Sequence, residues 1–241
     1  MNNILQLLGY ASIPAFAMTL AGIWAIWRAP NENWRSALMH FAAGVVFAVL
    51  AIEFLPDLIH EHSALVTGIG FALGAAAMLG IRAWSERSSK KDSENGERVS
   101  GSLVAASAVD IVIDGLMLGI GFAAGAKQGI LLTIALAFEL ISLGLAIALE
   151  LQQGKTAQGK IIRSVVTLSV LFILSAGIGS VALSFISGTL LVGVIAFGSA
   201  ALLFLVTEEL LTEAHEVTES PLLTAAFFVG FLVILLMELA S

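Results

Sequence analysis

Two carboxylates one helical turn apart, Asp110 and Asp114, lie in a stretch from Leu103 to Ala126 that is otherwise apolar or small. Residues four apart share a helix face, so the pair can close on a single cation. A carboxylate at the centre of a membrane helix costs about 2.5–3.5 kcal/mol on insertion scales. Such acids mark a polar pathway and need a cation, a proton or water beside them. The next apolar stretch adds Glu139, Ser142 three residues on, and Glu150 on nearly the same face. If both stretches are helices, Asp114 and Glu139 fall near mid-depth and form a central cluster. Asp110, Asp114, Glu139 and Ser142 make an oxygen-only donor set, which suits harder ions such as Mn²⁺, Fe²⁺, Mg²⁺ or Ca²⁺, although three carboxylates also bind zinc. The competing reading is an interhelical network in which one protonated acid donates to another. An ion site is favoured because no Lys or Arg lies deep in the apolar stretches, away from their ends, to neutralise these acids.

The elements that must hold them follow from composition. The chain has 241 residues, 59% hydrophobic and 12% charged, about half the charge content of a soluble domain. It reads as a single all-α integral membrane domain, 1–241. Eight stretches are long enough to cross roughly 30 Å of hydrocarbon at about 1.5 Å per residue. They are Ile4–Trp27, Ala37–Ile59, Ala64–Trp84, Leu103–Ala126, Gly129–Leu151, Ile162–Phe185, Leu190–Thr212 and Leu222–Leu239. Alternation across the bilayer puts both termini on one side. Of the 11 basic residues, Arg28, Arg35, Arg82, Arg87, Lys90, Lys91, Arg98, Lys155, Lys160 and Arg163 all fall in the loops after spans one, three and five. Lys127 alone falls on the other side. Cytoplasmic loops carry the excess of Lys and Arg, so both termini are expected to be extracytoplasmic. Trp24, Trp27, Trp34 and Trp84 cluster at the same cytoplasmic face, as interfacial anchors do. The polar segment 85–102 is expected to be a mobile cytoplasmic loop. The first apolar stretch begins almost at Met1, has no basic leader and is long enough to span, so no cleavable signal peptide is expected.

Spans two and seven end alike. Glu53-Phe-Leu-Pro-Asp57-Leu-Ile-His60-Glu61 closes one, and Glu208-Glu209-Leu-Leu-Thr212-Glu213-Ala-His215-Glu216 closes the other. Set without gaps, Glu53 falls on Glu208 and His60-Glu61 on His215-Glu216. The two spans run in opposite directions, so their acids approach opposite surfaces. An inverted repeat gives this pattern, with entrance and exit related by a pseudo-twofold axis and the site at the midplane. Glu53 and Glu209 lie deepest; interfacial solvation competes as an explanation for Asp57, Glu61, Glu213 and Glu216.

The chain resembles the ZIP family of divalent-metal transporters over essentially its whole length. HFAAGVVFAVLAIEFLPDLIHE in span two is similar to that family's AGV…E-L-x-P-E segment, with Glu53, Pro56 and Asp57 in place. Span seven resembles its His-Glu-x-x-Pro-Glu segment: Glu208 and Glu209 stand for the His-Glu pair, Glu213 for the later acid, and Thr212 for the proline. In the family's span-four signature His-Asn-x-Pro-Glu-Gly, anchored on Gly115, Asp110 takes the histidine position and Asp114 the glutamate, with Ile111 and Ile113 replacing Asn and Pro. In the span-five signature, anchored on Gly144, Glu139 takes the histidine position, Leu140 the second acid, Ser142 the proline and Leu143 the last glutamate. Both histidines and both prolines are absent, and span six holds no carboxylate for a second metal. The resemblance therefore implies a ZIP-like bundle with one central site that discriminates less for zinc. Its metal residues would be Asp110, Asp114, Glu139 and Ser142, flanked by Glu53, Asp57, Glu208, Glu209 and Glu213.

The function expected is secondary transport of a divalent cation of the zinc, manganese or iron class toward the cytoplasm. No nucleotide-binding loop is present to couple ATP. The alternative is a metal-sensing or scaffold membrane protein that kept the fold without turnover. A membrane hydrolase is disfavoured: His60 and His62 are two apart and do not share a helix face, and no serine–histidine pair lies at depth. The chain has no cysteine, hence no thiolate ligand or nucleophile. A net charge of -7 is not a nucleic-acid signature, so no nucleic-acid partner is expected. The expected partners are divalent metal ions and the lipid bilayer, with no resident cofactor; small residues in several spans are compatible with a homodimer. Simple polar loops and the lack of a targeting segment point to a prokaryotic plasma membrane.

Overall fold

The computed structural model describes residues 2–28, 30–94, 99–183, 185–215, 217 and 220–240. Its regular structure is entirely helical. Eight helices are long and apolar enough to cross a membrane, which makes the protein a multi-pass membrane protein. We label them α1 (Asn2–Trp27), α2 (Glu32–His60), α3 (Ala64–Glu94), α4 (Val99–Ala124), α5 (Ala126–Gln153), α6 (Gln158–Leu183), α7 (Thr189–Ala214) and α8 (Pro221–Leu239). They coincide with the eight expected spans to within about five residues, except that α3 runs ten residues further. Hydrocarbon satisfies no backbone N–H or C=O, so long apolar segments close their hydrogen bonds internally as helices.

The ends are set by local chemistry. Asn31 caps α2 by accepting the Asn33 N–H at 3.1 Å, and Ser220 caps α8 with Pro221 in its first turn. Gly125 alone separates α4 from α5, so span four stops at Ala124 and span five starts at Ala126. The segment expected as a loop over 85–102 departs from that expectation. Helix α3 runs past Trp84 to Glu94, and α4 begins at Val99. A run such as Ser-Glu-Arg-Ser-Ser-Lys-Lys-Asp is polar but has neither Gly nor Pro to stop a helix already propagating from the span. Residues 95–98 and Glu216 lie outside the described set.

Helices α2 and α5 are innermost, each with 67% of its apolar span buried, whereas α3 and α8 bury only 17% and form the rim. The main pairings are α1 with α5 and α6, α4 with α6 and α5, α2 with α8 and α5, and α3 with α7. Close approach between α2 and α8 depends on reciprocal glycines. A Cβ on Gly44 would overlap the Phe227 carbonyl, and one on Gly230 would overlap the Phe41 carbonyl, so each backbone lies where the other's side chain would be. Exposed Phe16, Leu20, Leu65, Leu174, Leu222 and Phe228 face outward, the surface a bilayer would cover. Trp24, Trp27, Trp34 and Trp84 are likewise exposed, and Trp24 packs edge-on against Trp34 at 5.9 Å.

Two spans leave regular α-helix at one place each. Leu50–Phe54 in α2 and Leu205–Leu210 in α7 are π-helical. In α2 the cause is Pro56, which has no N–H and whose ring crowds the carbonyl four residues back. The Leu55 N–H reaches the Leu50 carbonyl instead. In α7 no proline is present. There the Leu211 N–H reaches Val206, and the hydroxyls of Thr207 and Thr212 donate to the carbonyls of Leu203 and Thr207 at 2.9 and 3.4 Å. Helices α4 and α5, which lack the prolines, carry no such interruption.

Candidate metal centre

Asp110 and Asp114 project from α4, Glu139 and Ser142 from α5, and Glu208, Glu209 and Glu213 from the end of α7. All seven line one cavity of about 230 Å³, together with Met39, Met78 and Arg82. Asp114, Glu139 and Ser142 are its deep members, at 3%, 5% and 2% exposure. Glu208 and Glu213 are exposed at its mouth, where Arg82 pairs with Glu208. The cavity thus runs from the middle of the bundle to the end that carries Arg82.

The local packing explains why these side chains are presented inward. Gly115 follows Asp114 and lies against α6, where a Cβ would overlap the Ser175 hydroxyl and the Phe172 carbonyl. That contact sets α4 tightly on α6 and directs Asp114 away from it, toward α5 and α7. Asp114 Oδ2, Glu139 Oε2 and Ser142 Oγ are buried and have no hydrogen-bond partner. A buried polar atom without a partner costs on the order of 1–3 kcal/mol, more when charged. Three at the floor of one cavity argue against a satisfied interhelical network and for a ligand that completes them. Among the described residues, no group of three or more His, Asp or Glu side chains is arranged to hold a metal ion as it stands. The acids share a cavity without yet converging on a point.

The structure separates the other predicted residues from this centre. Glu53 and Asp57 do not line the cavity. They lie toward the opposite end, where α2 finishes and α5 starts. Glu53 is 6% exposed and lies 3.2 Å from Lys127 Nζ. Lys127 also pairs with Glu238 of α8 at 2.5 Å, and Gln128 Nε2 donates to Asp57 Oδ2 at 3.0 Å. Here a sequence-based set of nine metal residues divides into two groups, seven in the cavity and two beyond it. Glu150 is exposed near the end of α5 and is not a cavity residue.

Several participants were not singled out from sequence. Glu238 carried a signal, as an acid inside the last apolar span; Arg82 was read only as a topology marker. Met39 and Met78 carried none, because a buried methionine is ordinary core. Near the cavity mouth, Ser36 Oγ donates to the Ala214 carbonyl at 2.8 Å and ties α2 to α7. His40 Nδ1 meets the Ser36 carbonyl at 2.9 Å, and its ring packs 5.1 Å from that of His215. His60 and His62 are exposed at the other end, the first with Nδ1 on the Pro56 carbonyl at 2.7 Å. No protein-family model matches the chain, and no curated protein is significantly similar to it.

Proposed function

We propose that this protein is a secondary transporter that carries divalent metal cations toward the cytoplasm through the cavity bounded by α4, α5 and α7. The observation that carries this reading is the set of unpartnered oxygens on Asp114, Glu139 and Ser142 at the cavity floor. Carboxylates buried without basic partners repel one another, and a divalent cation supplies the missing charge and accepts their lone pairs. The seven polar residues between the floor and the mouth supply successive oxygen donors, so a cation leaving the centre passes Glu209 and then Glu208 and Glu213. Multiple weak oxygen sites allow release as well as binding. Because the cavity acids do not converge, binding requires their side chains to close on the ion.

An inverted repeat is part of the proposal. Setting Glu53 on Glu208 lays the π stretch Leu50–Phe54 on residues 205–209, within the second π stretch. Exchanging spans one to three with six to eight, and span four with five, turns the α1–α5 pairing into α6–α4 and the α2–α8 pairing into α7–α3. All four are main pairings of the bundle. This supports a pseudo-twofold arrangement in which one half rocks against the other around a central site. It also supports the ZIP-like architecture, with both termini extracytoplasmic as the basic loops require.

Uptake into proteoliposomes tests the reading, with Zn²⁺, Mn²⁺, Fe²⁺, Cd²⁺, Co²⁺ and Mg²⁺ screened against wild type and Asp114→Asn. Saturable uptake that falls to background in the variant is the expected result. No uptake of any ion by folded protein would overturn transport and leave a metal-sensing or scaffold role.

A further inference from the structure

Lys127 breaks the charge rule that the other ten basic residues obey, and the structure gives it an occupation. Its ammonium lies 3.2 Å from Glu53 Oε1 and 2.5 Å from Glu238 Oε2, which joins α2, α5 and α8 at one point. Glu53 is more than nine-tenths buried, and its Oε1 makes no hydrogen bond of acceptable geometry; its link to Lys127 is electrostatic. Beside it, Gln128 holds Asp57 at 3.0 Å, a second tie between α2 and α5. Lys127 itself is half-exposed, at 46%. A buried carboxylate is thus capped by a lysine whose stem reaches the surface. Lysine suits such a position because it is a compact point charge on a flexible stem, free to swing out without backbone movement.

We infer that Lys127 is a tethered cation seated in a second divalent-cation site, formed by Glu53 and Glu238, and that it closes this end of the bundle while the Arg82 end stands open. Two acids from facing helices that together hold one ammonium can hold a divalent ion in its place, with the charge better matched. An arriving ion displaces the ammonium and, in doing so, releases the ties that Lys127 makes from α5 to Glu53 and Glu238. The site lies at the position that the repeat relates to Glu208, whose more exposed partner Arg82 comes from α3, the helix that the repeat relates to α8. This deepens the transport reading and rests on it for the direction of travel, but the site itself is separately testable.

The experiment is equilibrium dialysis of Mn²⁺ against the purified full-length protein in detergent, comparing wild type, Lys127→Met, Lys127→Arg and Lys127→Met/Glu53→Gln. At Mn²⁺ concentrations too low to displace the ammonium, Lys127→Met should bind one Mn²⁺ per chain more than wild type. Lys127→Arg should match wild type, and the double variant should lose the gain. No gain in a Lys127→Met protein that elutes and melts like wild type overturns the inference. A wild type that binds no Mn²⁺ speaks against the central site alone, since the difference between variant and wild type reads only the second one. If Lys127→Met does not fold, the wild-type chain supplies the measurement. Saturating Mn²⁺ should raise acylation of Lys127 by an amine-reactive ester several-fold, followed by mass spectrometry, and unchanged acylation overturns the inference equally.

Discussion

The two ends of the bundle use the same ingredients to opposite effect. At each, an acid on a π-helical stretch meets a basic residue from a neighbouring helix. Glu208 pairs with Arg82 at the mouth of a cavity that reaches Asp114 and Glu139, and both partners are 40% or more exposed. Glu53 pairs with Lys127 with only 6% of its side chain exposed, and Glu238 completes a three-helix junction. The difference lies in what surrounds each pair. Around Glu208, acids of α4, α5 and α7 line one cavity; Glu53 lies outside that cavity, between Lys127 and the end of α8. A widened helical turn exposes carbonyls and re-aims side chains in both places, yet packing decides whether the result is an opening or a closure.

The comparison can be broken most sharply inside the cavity. Glu139→Gln should reduce divalent-cation uptake to background, because it removes a deep oxygen that has no partner. Glu213→Gln, at the exposed mouth, should retain most of it. Equal losses in the two uptake assays would show that depth does not rank the acids. The next effect tests packing rather than charge. Gly115→Val would drive a side chain into the Ser175 hydroxyl and the Phe172 carbonyl, and overpacking of this kind destabilises by about 1–3 kcal/mol. A lowered Tm in detergent is the expected outcome, and an unchanged Tm would mean that α4 and α6 are not held at this distance.

The smallest effects compare the two ion pairs directly. Arg82→Gln removes a solvent-exposed pair, worth about 0–1 kcal/mol, and should leave Tm nearly unchanged in scanning calorimetry. Glu53→Gln should lower Tm by more, since it removes the buried member of the junction between α2, α5 and α8. Raising the salt concentration should abolish whatever contribution Arg82 makes and leave that of Glu53 largely in place. The reverse ranking would place the tighter closure at the Arg82 end.

Much of this protein was legible before any coordinates. The eight spans follow from apolar length, because a segment of that composition has one way to satisfy its backbone in hydrocarbon. Asp110, Asp114 and Glu139 stand out for the converse reason: a carboxylate in an apolar segment is too costly to be incidental. The sequence also paired Glu53 with Glu208, and the two π-helical stretches fall on that alignment. The segment after Trp84 stays helical to Glu94, because polar composition says that a stretch is solvated and does not say where a helix stops.

Tertiary structure alone decided which acids share a space. Glu53 and Glu209 look equally deep along their own helices, yet Glu209 joins the cavity and Glu53 is sealed against Lys127. Helical periodicity gives the face on which a side chain lies, but not the rotation of that helix against its neighbours. The rotation is set by contacts between residues far apart in the chain, such as Gly44 with Phe227, Gly115 with Phe172, and Lys127 with Glu238. The sequence thus determined that the membrane interior holds charge; the packing of α2 on α8 and of α4 on α6 decided where that charge stands open and where it is closed.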